Sequence, residues 1–481
     1  MSILSKPDGA SASGGPATAK LPSPASLITG NAFVWLIAAI AGLGGLMFGY
    51  DTGIISAALL FVGRSFGALH DLSKEIITAA IVAGALVGCM TAGPMSDRYG
   101  RKVVVLLAAA IFIVGSLAAA WAPSVIILVV ARVVLGVAIG ATTQVVPVYI
   151  AELAPAKQRG ALVVLFQLAI VGGILMSTIV GWLLGNSGDW RLMFLLGVIP
   201  GIILLLGMSL LPESPRFQSL TGRNAQARAT LMRVRKSALE VDAELDAIRT
   251  TVRNERSWRD LFAPRLRPAL VAGMGVAIFS QITGTNAIVY YAPTIMEAAG
   301  FQRNTALLTQ IAIGITIVAT TIFGGWAVDA WGRRSLMLRF LPVAALSLVL
   351  LGAMLTAGHP RGAERWFALA GLLGYEIFNV GSISVAIWLV GSEVFPLAVR
   401  GKGMSMVTLS HWSFDLLITL TTLSLIRNLG IAQTFWLFAA INALAWIFVW
   451  RCVPETRGHT LEQIEADLRG GTFTAARGAV A

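Results

Sequence analysis

Charge is what this 481-residue sequence has least of: Asp, Glu, Lys and Arg make up 12% of it, where soluble domains carry about 25%. Long stretches hold no ionisable residue at all. A helix built from such a stretch has no solvated face, which excludes an ordinary soluble globular domain. Cysteine is scarce too. Cys89 lies inside an apolar run and Cys452 at the end of the last one, so neither offers a disulfide framework. Four histidines complete the inventory of soft ligands. No metal cluster, Walker loop or nucleophile–base arrangement is present in the sequence, which argues against an enzyme and calls for no cofactor and no metal. Residues 1–30, rich in Ser, Ala, Pro and Gly with Lys6 and Lys20, lack an apolar core of signal-peptide type and read as a disordered cytoplasmic tail.

What the sequence has in abundance is apolar length. It is 56% hydrophobic with a mean hydropathy of +0.79. A bilayer core of about 30 Å needs about 20 apolar residues per helix. Runs of that kind place spans near 32–62, 76–96, 103–122, 124–150, 161–184 and 192–212, then near 269–296, 305–328, 336–357, 366–392, 404–426 and 431–450. The expected fold is an all-α membrane protein of twelve transmembrane helices. The net charge of +12 could suggest a nucleic-acid partner, but the placement of the basic residues argues otherwise. Arg64, Lys74, Arg191, Arg303, Arg361, Arg365 and Arg427 fall on one side and Arg132 within a span; the other 28 of the 36 share the side of the N-terminus. That asymmetry is the positive-inside rule. It puts both termini in the cytoplasm and leaves no call for nucleic acid.

The two sets of six spans repeat each other. GPMSDRYGRK at 93–102 returns as GWAVDAWGRR at 325–334, ELAPAKQRG at 152–160 as EVFPLAVRG at 393–401, and PES at 212–214 as PET at 454–456. The order is kept at offsets of 232, 241 and 242 residues, so the chain divides into two homologous halves. Residues 31–212 form one six-helix bundle and 266–453 the other. The basic stretch 213–265 between them reads as a linker with short helices, and 454–481 as a second cytoplasmic tail. Each repeated motif sits where a helix meets the cytoplasm. Asp97 lies beside Arg98, Arg101 and Lys102, while Glu152 and Arg159 flank a Pro-containing helix end; Asp329, Arg333, Glu393 and Arg400 are their counterparts. We expect these groups to form ion pairs across the two halves and hold the cytoplasmic side shut.

These motifs, with GYDTGIISAAL at 49–59, PESPR at 212–216, QITGTNAIVYYAP at 281–293, GSEVFPLAVRG at 391–401 and PETRG at 454–458, resemble the sugar porter family of the major facilitator superfamily. The resemblance runs from about residue 35 to 465. It implies a major facilitator fold of two pseudo-symmetric bundles rocking about a midplane site. It further implies a monosaccharide or polyol as substrate, a proton as the coupled ion, the bacterial inner membrane as location, and a monomer.

Ionisable groups inside a span are costly and so are candidates by default. Asp51 in the first span and Arg132 in the fourth read either as a fixed structural pair or as a proton switch, and the resemblance makes the acid at 51 typical of proton symporters. For a hydroxyl-rich substrate, amides both donate and accept and an aromatic face covers the C–H side of a ring. Matching the family position by position points to Gln167, Gln281, Asn286 and Trp388, with Phe48, Tyr290 and Tyr291 as aromatic walls. Departures from the family pattern are Ser280 in place of a Gln, Ser384 and Val385 in place of Gly-Pro, and His411 in place of an amide. Asp415 and Glu376 are further unusual residues. His411 and Asp415 share a helix face at i, i+4: either they bond to each other, or His411 faces the pocket and adds a pH dependence. The competing functional classes are an uncoupled facilitator, an exporter of another polar metabolite, and a nutrient sensor.

Overall fold

A computed structural model describes residues 24–470 and 473, except 156–157, 236, 253–256, 357–361, 397 and 460. Among the described residues, twelve helices are long and apolar enough to cross a membrane. In chain order they are Ala32–Phe66, Asp71–Tyr99, Arg101–Ala120, Val125–Leu153, Ala161–Leu183 and Trp190–Leu210, then Pro264–Ala298, Arg303–Trp331, Arg333–Leu355, Glu364–Glu393, Arg400–Leu429 and Ile431–Cys452. Several outrun their apolar cores. The second starts five residues before the expected 76, and the eleventh starts four before 404, because a charged first turn can stay helical while its side chains project from the lipid into water. The first helix is continuous from Pro24, so the tail expected to run to residue 30 gives way to helix by residue 24, and residues 1–23 lie outside the described ones.

Helices in lipid gain little from burying apolar surface, so close backbone approach has to supply the contact energy. The second and fourth spans achieve it with paired glycines. A Cβ on Gly84 or Gly88 would lie 2.1 or 2.2 Å from a carbonyl oxygen of the fourth span, and one on Gly136 or Gly140 would lie 2.0 Å from a carbonyl of the second. The first and fifth spans meet in the same way at Gly49, whose Cβ would stand 1.8 Å from the Ile170 oxygen.

Spans alternate in direction, so the ends at Tyr99, Arg101, Leu153 and Arg333 share one face with the linker, here the linker face; Asp71 and Leu429 lie on the opposite, distal face. The linker carries the helices Pro215–Leu220, Asn224–Val234, Ala238–Val252 and Trp258–Leu261. Arg235 ties it to the fourth span. Its guanidinium is clamped by Glu244 at 2.6 and 2.7 Å and donates to the Leu153 and Ala154 carbonyls at 2.9 and 3.2 Å, satisfying orphan acceptors of that helix end.

Side-chain contacts between the halves run from mid-height to the distal face. Phe48 packs on Trp412 with ring centroids 5.4 Å apart, Thr52 lies beside Tyr290, and Gln310 donates to the Ser56 hydroxyl. Closer to the distal face, the Glu75 carboxylate accepts from the Ser424 backbone N–H at 2.6 Å and its hydroxyl at 2.7 Å, and Arg303 lies over the Phe61 ring at 5.8 Å.

Candidate functional site

Two spans are broken at mid-height, and the breaks build the site. The seventh is helical over Arg267–Ile282 and again over Thr285–Ala298, with Gly284 at φ 103 between them. Non-helical backbone at membrane depth needs internal partners. The Thr283 carbonyl accepts from Tyr375 at 2.9 Å and Asn442 at 3.2 Å, and Thr285 donates to Asn379 at 2.6 Å. The tenth span contains a π-helical turn over Val380–Ser384, the kind of bulge that re-aims side chains. Trp388 follows it.

The break folds Gln281 and Asn286 onto each other. Asn286 donates to the Gln281 oxygen at 2.8 Å, and Gln281 donates to Ser280 at 3.1 Å and to His411 Nδ1 at 2.9 Å. Asn286 also lies beside the Asp415 carboxylate, which accepts from Thr419 at 3.3 Å. His411 and Asp415 are therefore joined through two amides. With Nδ1 accepting, the ring proton of His411 sits on Nε2. Three of the four amide N–H groups donate within the protein and the fourth lies near the Asp415 carboxylate, so in this conformation Gln281 and Asn286 offer a ligand mainly acceptor capacity. The Trp388 and His411 rings lie 5.2 Å apart, and His411 meets Trp412 at 5.4 Å. Gln167 is half-buried on the fifth span and takes no part in this network. Tyr290 is buried against Thr52, and the Tyr291 hydroxyl donates to the Thr419 carbonyl at 3.1 Å.

Asp51 and Arg132 stand beside this cluster, 2% and 0% exposed, with 3.2 Å between Oδ2 and Nη2. Arg132 is further anchored by the Ile77 carbonyl at 2.7 Å and by the Phe194 ring at 5.7 Å. The guanidinium keeps its charge at any physiological pH, so the pair can change state only by protonation of Asp51.

At the linker face the expected pairing across the halves does not occur among the described ion pairs. Each half closes on itself. Arg101 pairs with Asp97 at 3.0 Å and Glu152 at 3.1 Å, and Arg333 pairs with Asp329 at 3.1 Å and Glu393 at 2.9 Å. The reason is geometric: the halves meet toward the distal face, which leaves their linker-face ends to find partners at home. Arg98 lies over its neighbour Tyr99; Arg159 and Arg400 open the fifth and eleventh helices. Sequence reading missed the third member of each cluster. Glu213 accepts from the backbone N–H groups of Arg101 and Lys102 at 3.0 and 3.1 Å, and Glu455 from those of Arg333 and Ser335 at 2.8 and 3.1 Å, so each caps the helix that follows a motif glycine. A Cβ on Gly100 or Gly332 would strike these carboxylates at 2.2 or 2.4 Å. The available signal was the PES and PET repeat itself.

Residues 37–468 match the family model described as Sugar (and other) transporter. The chain belongs to the sugar transporter family. It is 35% identical to the galactose-proton symporter of Escherichia coli K12, over 92% of this chain and 96% of the relative. It is 33% identical to the major myo-inositol transporter IolT of Bacillus subtilis, over 92% and 96%, and 36% identical to a D-xylose transporter of Levilactobacillus brevis, over 89% and 94%. The inward open conformation of the xylose transporter XylE from E. coli superposes with a TM-score of 0.78 at 27% identity, covering 90% of this chain and 99% of that one. This sugar transporter is thus an integral membrane protein of the major facilitator fold, not an enzyme.

Proposed function

We propose that this chain couples the movement of a monosaccharide or related polyol to the inward movement of a proton. The observation that carries the coupling is the buried Asp51–Arg132 pair, 3.2 Å apart and contiguous through Thr52 and Tyr290 with the amide cluster. A lone buried charge is expensive. Protonating Asp51 frees Arg132 to pair elsewhere, and so makes the relation between the two halves depend on the proton. Gln281, Asn286, Trp388 and His411 form the substrate wall, with Gln167 contributed by the other half, Phe48 as an aromatic neighbour, and Tyr290 and Tyr291 closing the distal side. Relatives whose names specify galactose, myo-inositol and D-xylose support this substrate class.

The linker face carries most of the Lys and Arg, so by the positive-inside rule it is cytoplasmic, with both termini there and the protein in the bacterial inner membrane. The conformation described is then inward-facing, and the self-contained Arg101 and Arg333 clusters keep each bundle rigid as it moves. Every group invoked lies in one chain, so a monomer suffices. The test is uptake into reconstituted vesicles of D-galactose, D-xylose and myo-inositol, with and without an imposed proton gradient. Gradient-driven accumulation of one of them is expected; equilibration to equal concentrations under every gradient would mark a facilitator.

A further inference from the structure

One arginine stands on a lipid-facing surface with no acid or carbonyl to receive it. Arg339 lies six residues into the ninth span and is exposed. Farther along the same helix stripe, Val343, Leu346 and Leu350 are exposed apolar residues, so this stripe faces acyl chains. At 1.5 Å per residue, Arg339 sits about 9 Å from the helix end, deep enough that an unpaired charge is costly. The two arginines that open the span are engaged. Arg333 pairs with Asp329 and Glu393, and Arg334 donates to the Trp450 carbonyl at 2.9 Å. Arg339 has neither kind of partner among the described residues. What it has is a ring: its guanidinium carbon stands 5.4 Å from the centroid of Trp331. Helix side chains lean toward the N-terminus, and the ninth span begins at the linker face, so this guanidinium reaches back toward the headgroups.

The rings beside it form a continuous shelf. Trp331 meets Phe323 at 5.9 Å, Trp326 at 6.0 Å and Phe340 at 6.2 Å. Trp326 is 60% and Phe323 40% exposed, so the shelf is open to lipid. Aromatic rings at this level suit the glycerol region and the upper acyl chains. The guanidinium suits a phosphate diester, which it can hold through two parallel N–H bonds. The geometry points to a phospholipid site in the linker-face leaflet: Arg339 takes the phosphate of an anionic phospholipid whose upper chains lie on Trp326, Trp331 and Phe323. A zwitterionic head fits less well, because its ammonium would sit among the basic residues that crowd this face. The site is apart from the amide cluster and stands whether or not that cluster binds sugar. It still has a route to the carrier's moving parts, since Phe340 packs at 5.1 Å on Phe378, two residues before the π-helical turn of the tenth span.

The test is binding of phosphatidylglycerol to the purified full chain in detergent, with phosphatidylethanolamine of the same acyl composition as the zwitterionic counterpart. Native mass spectrometry reads the lipid retained, and the unfolding temperature reads the stabilisation it brings. Wild type is expected to retain phosphatidylglycerol in preference to phosphatidylethanolamine. Arg339→Gln should bind phosphatidylglycerol about 5- to 10-fold more weakly, the loss of one charge-assisted contact. Arg339→Lys, which keeps the charge without the fork, should fall between the two. Arg427→Gln removes an exposed charge from the distal face and should bind as wild type does. Equal retention of the two lipids by wild type overturns the inference, since headgroup charge is then not read. Wild-type affinity in Arg339→Gln overturns it by placing the lipid elsewhere, and an equal loss in Arg427→Gln does so by showing that net charge alone decides.

Discussion

Replacing Asp51 by asparagine keeps the shape of the side chain and removes the charge opposite Arg132. The exchange has two separable consequences. Stability falls, since breaking a buried pair by deleting one partner costs about 3–5 kcal/mol. The lower end applies here because the guanidinium retains the Ile77 carbonyl at 2.7 Å and the Phe194 ring. Transport changes in kind, since asparagine imitates the protonated acid and can no longer release the proton. One proton crossing about 100 mV supplies about 2.3 kcal/mol, which sustains a gradient of about 50-fold. Wild-type vesicles held at that potential should therefore concentrate sugar up to about 50-fold, and Asp51→Asn vesicles should stop at equality. Counterflow, which needs only the loaded carrier to shuttle, should persist within about tenfold of wild type. The assay is initial uptake and end-point accumulation of labelled sugar, each with and without a protonophore. If Asp51→Asn still accumulates sugar in a protonophore-sensitive manner, the proton is carried elsewhere and the pair is structural.

Three further outcomes follow from packing and hydrogen bonding. Gly49→Ala sets a methyl 1.8 Å from the Ile170 oxygen and forces the first and fifth spans apart, at about 1–3 kcal/mol; thermal unfolding in detergent should drop by several degrees, and an unchanged midpoint would contradict the close approach. Glu75→Ala deletes both bonds to Ser424, each worth about 1.5–3 kcal/mol for a charged acceptor. In a background without Cys89 and Cys452, a Ser424→Cys probe keeps the backbone N–H bond to Glu75, and Glu75→Ala should then make it react with a membrane-impermeant reagent at least about tenfold faster, the worth of that one bond; equal rates would mean the contact does not hold the distal face closed. Asp97 is 73% exposed and Glu152 only 9%, so Asp97→Asn should cost less than about 1 kcal/mol while Glu152→Gln, which loses a buried charge partner of Arg101, should lower the unfolding temperature clearly. The reverse ranking would refute the burial argument.

The twelve spans were readable because each carries a run that lipid alone can explain, and the halves because Asp97 and Asp329 stand in the same local phrase. Their ends were less readable. An apolar-run reading of the second span begins at Ile76, one residue past Glu75, so the acid that joins the halves at the distal face looked like loop. The break in the seventh span was hinted at by Thr283–Gly284–Thr285, but nothing local says that Tyr375, Asn379 and Asn442 close around it, since those contacts span about a hundred residues or more. Pairing at the linker face depends on which way the halves are tilted. One sequence serves every tilt, so it names Arg101 and Arg333 as charged partners without saying with whom.

The two arginine clusters carry a mechanical implication. Each draws a helix end, a loop carboxylate and a capped N-terminus from a single half, in the manner of a rivet and not of a latch. What must be undone when the carrier turns over is then the short series from Phe48–Trp412 to Glu75–Ser424. Strengthening that series would arrest the cycle with its mouth to one side, whereas loosening a rivet would leave a bundle too soft to transmit the movement at all.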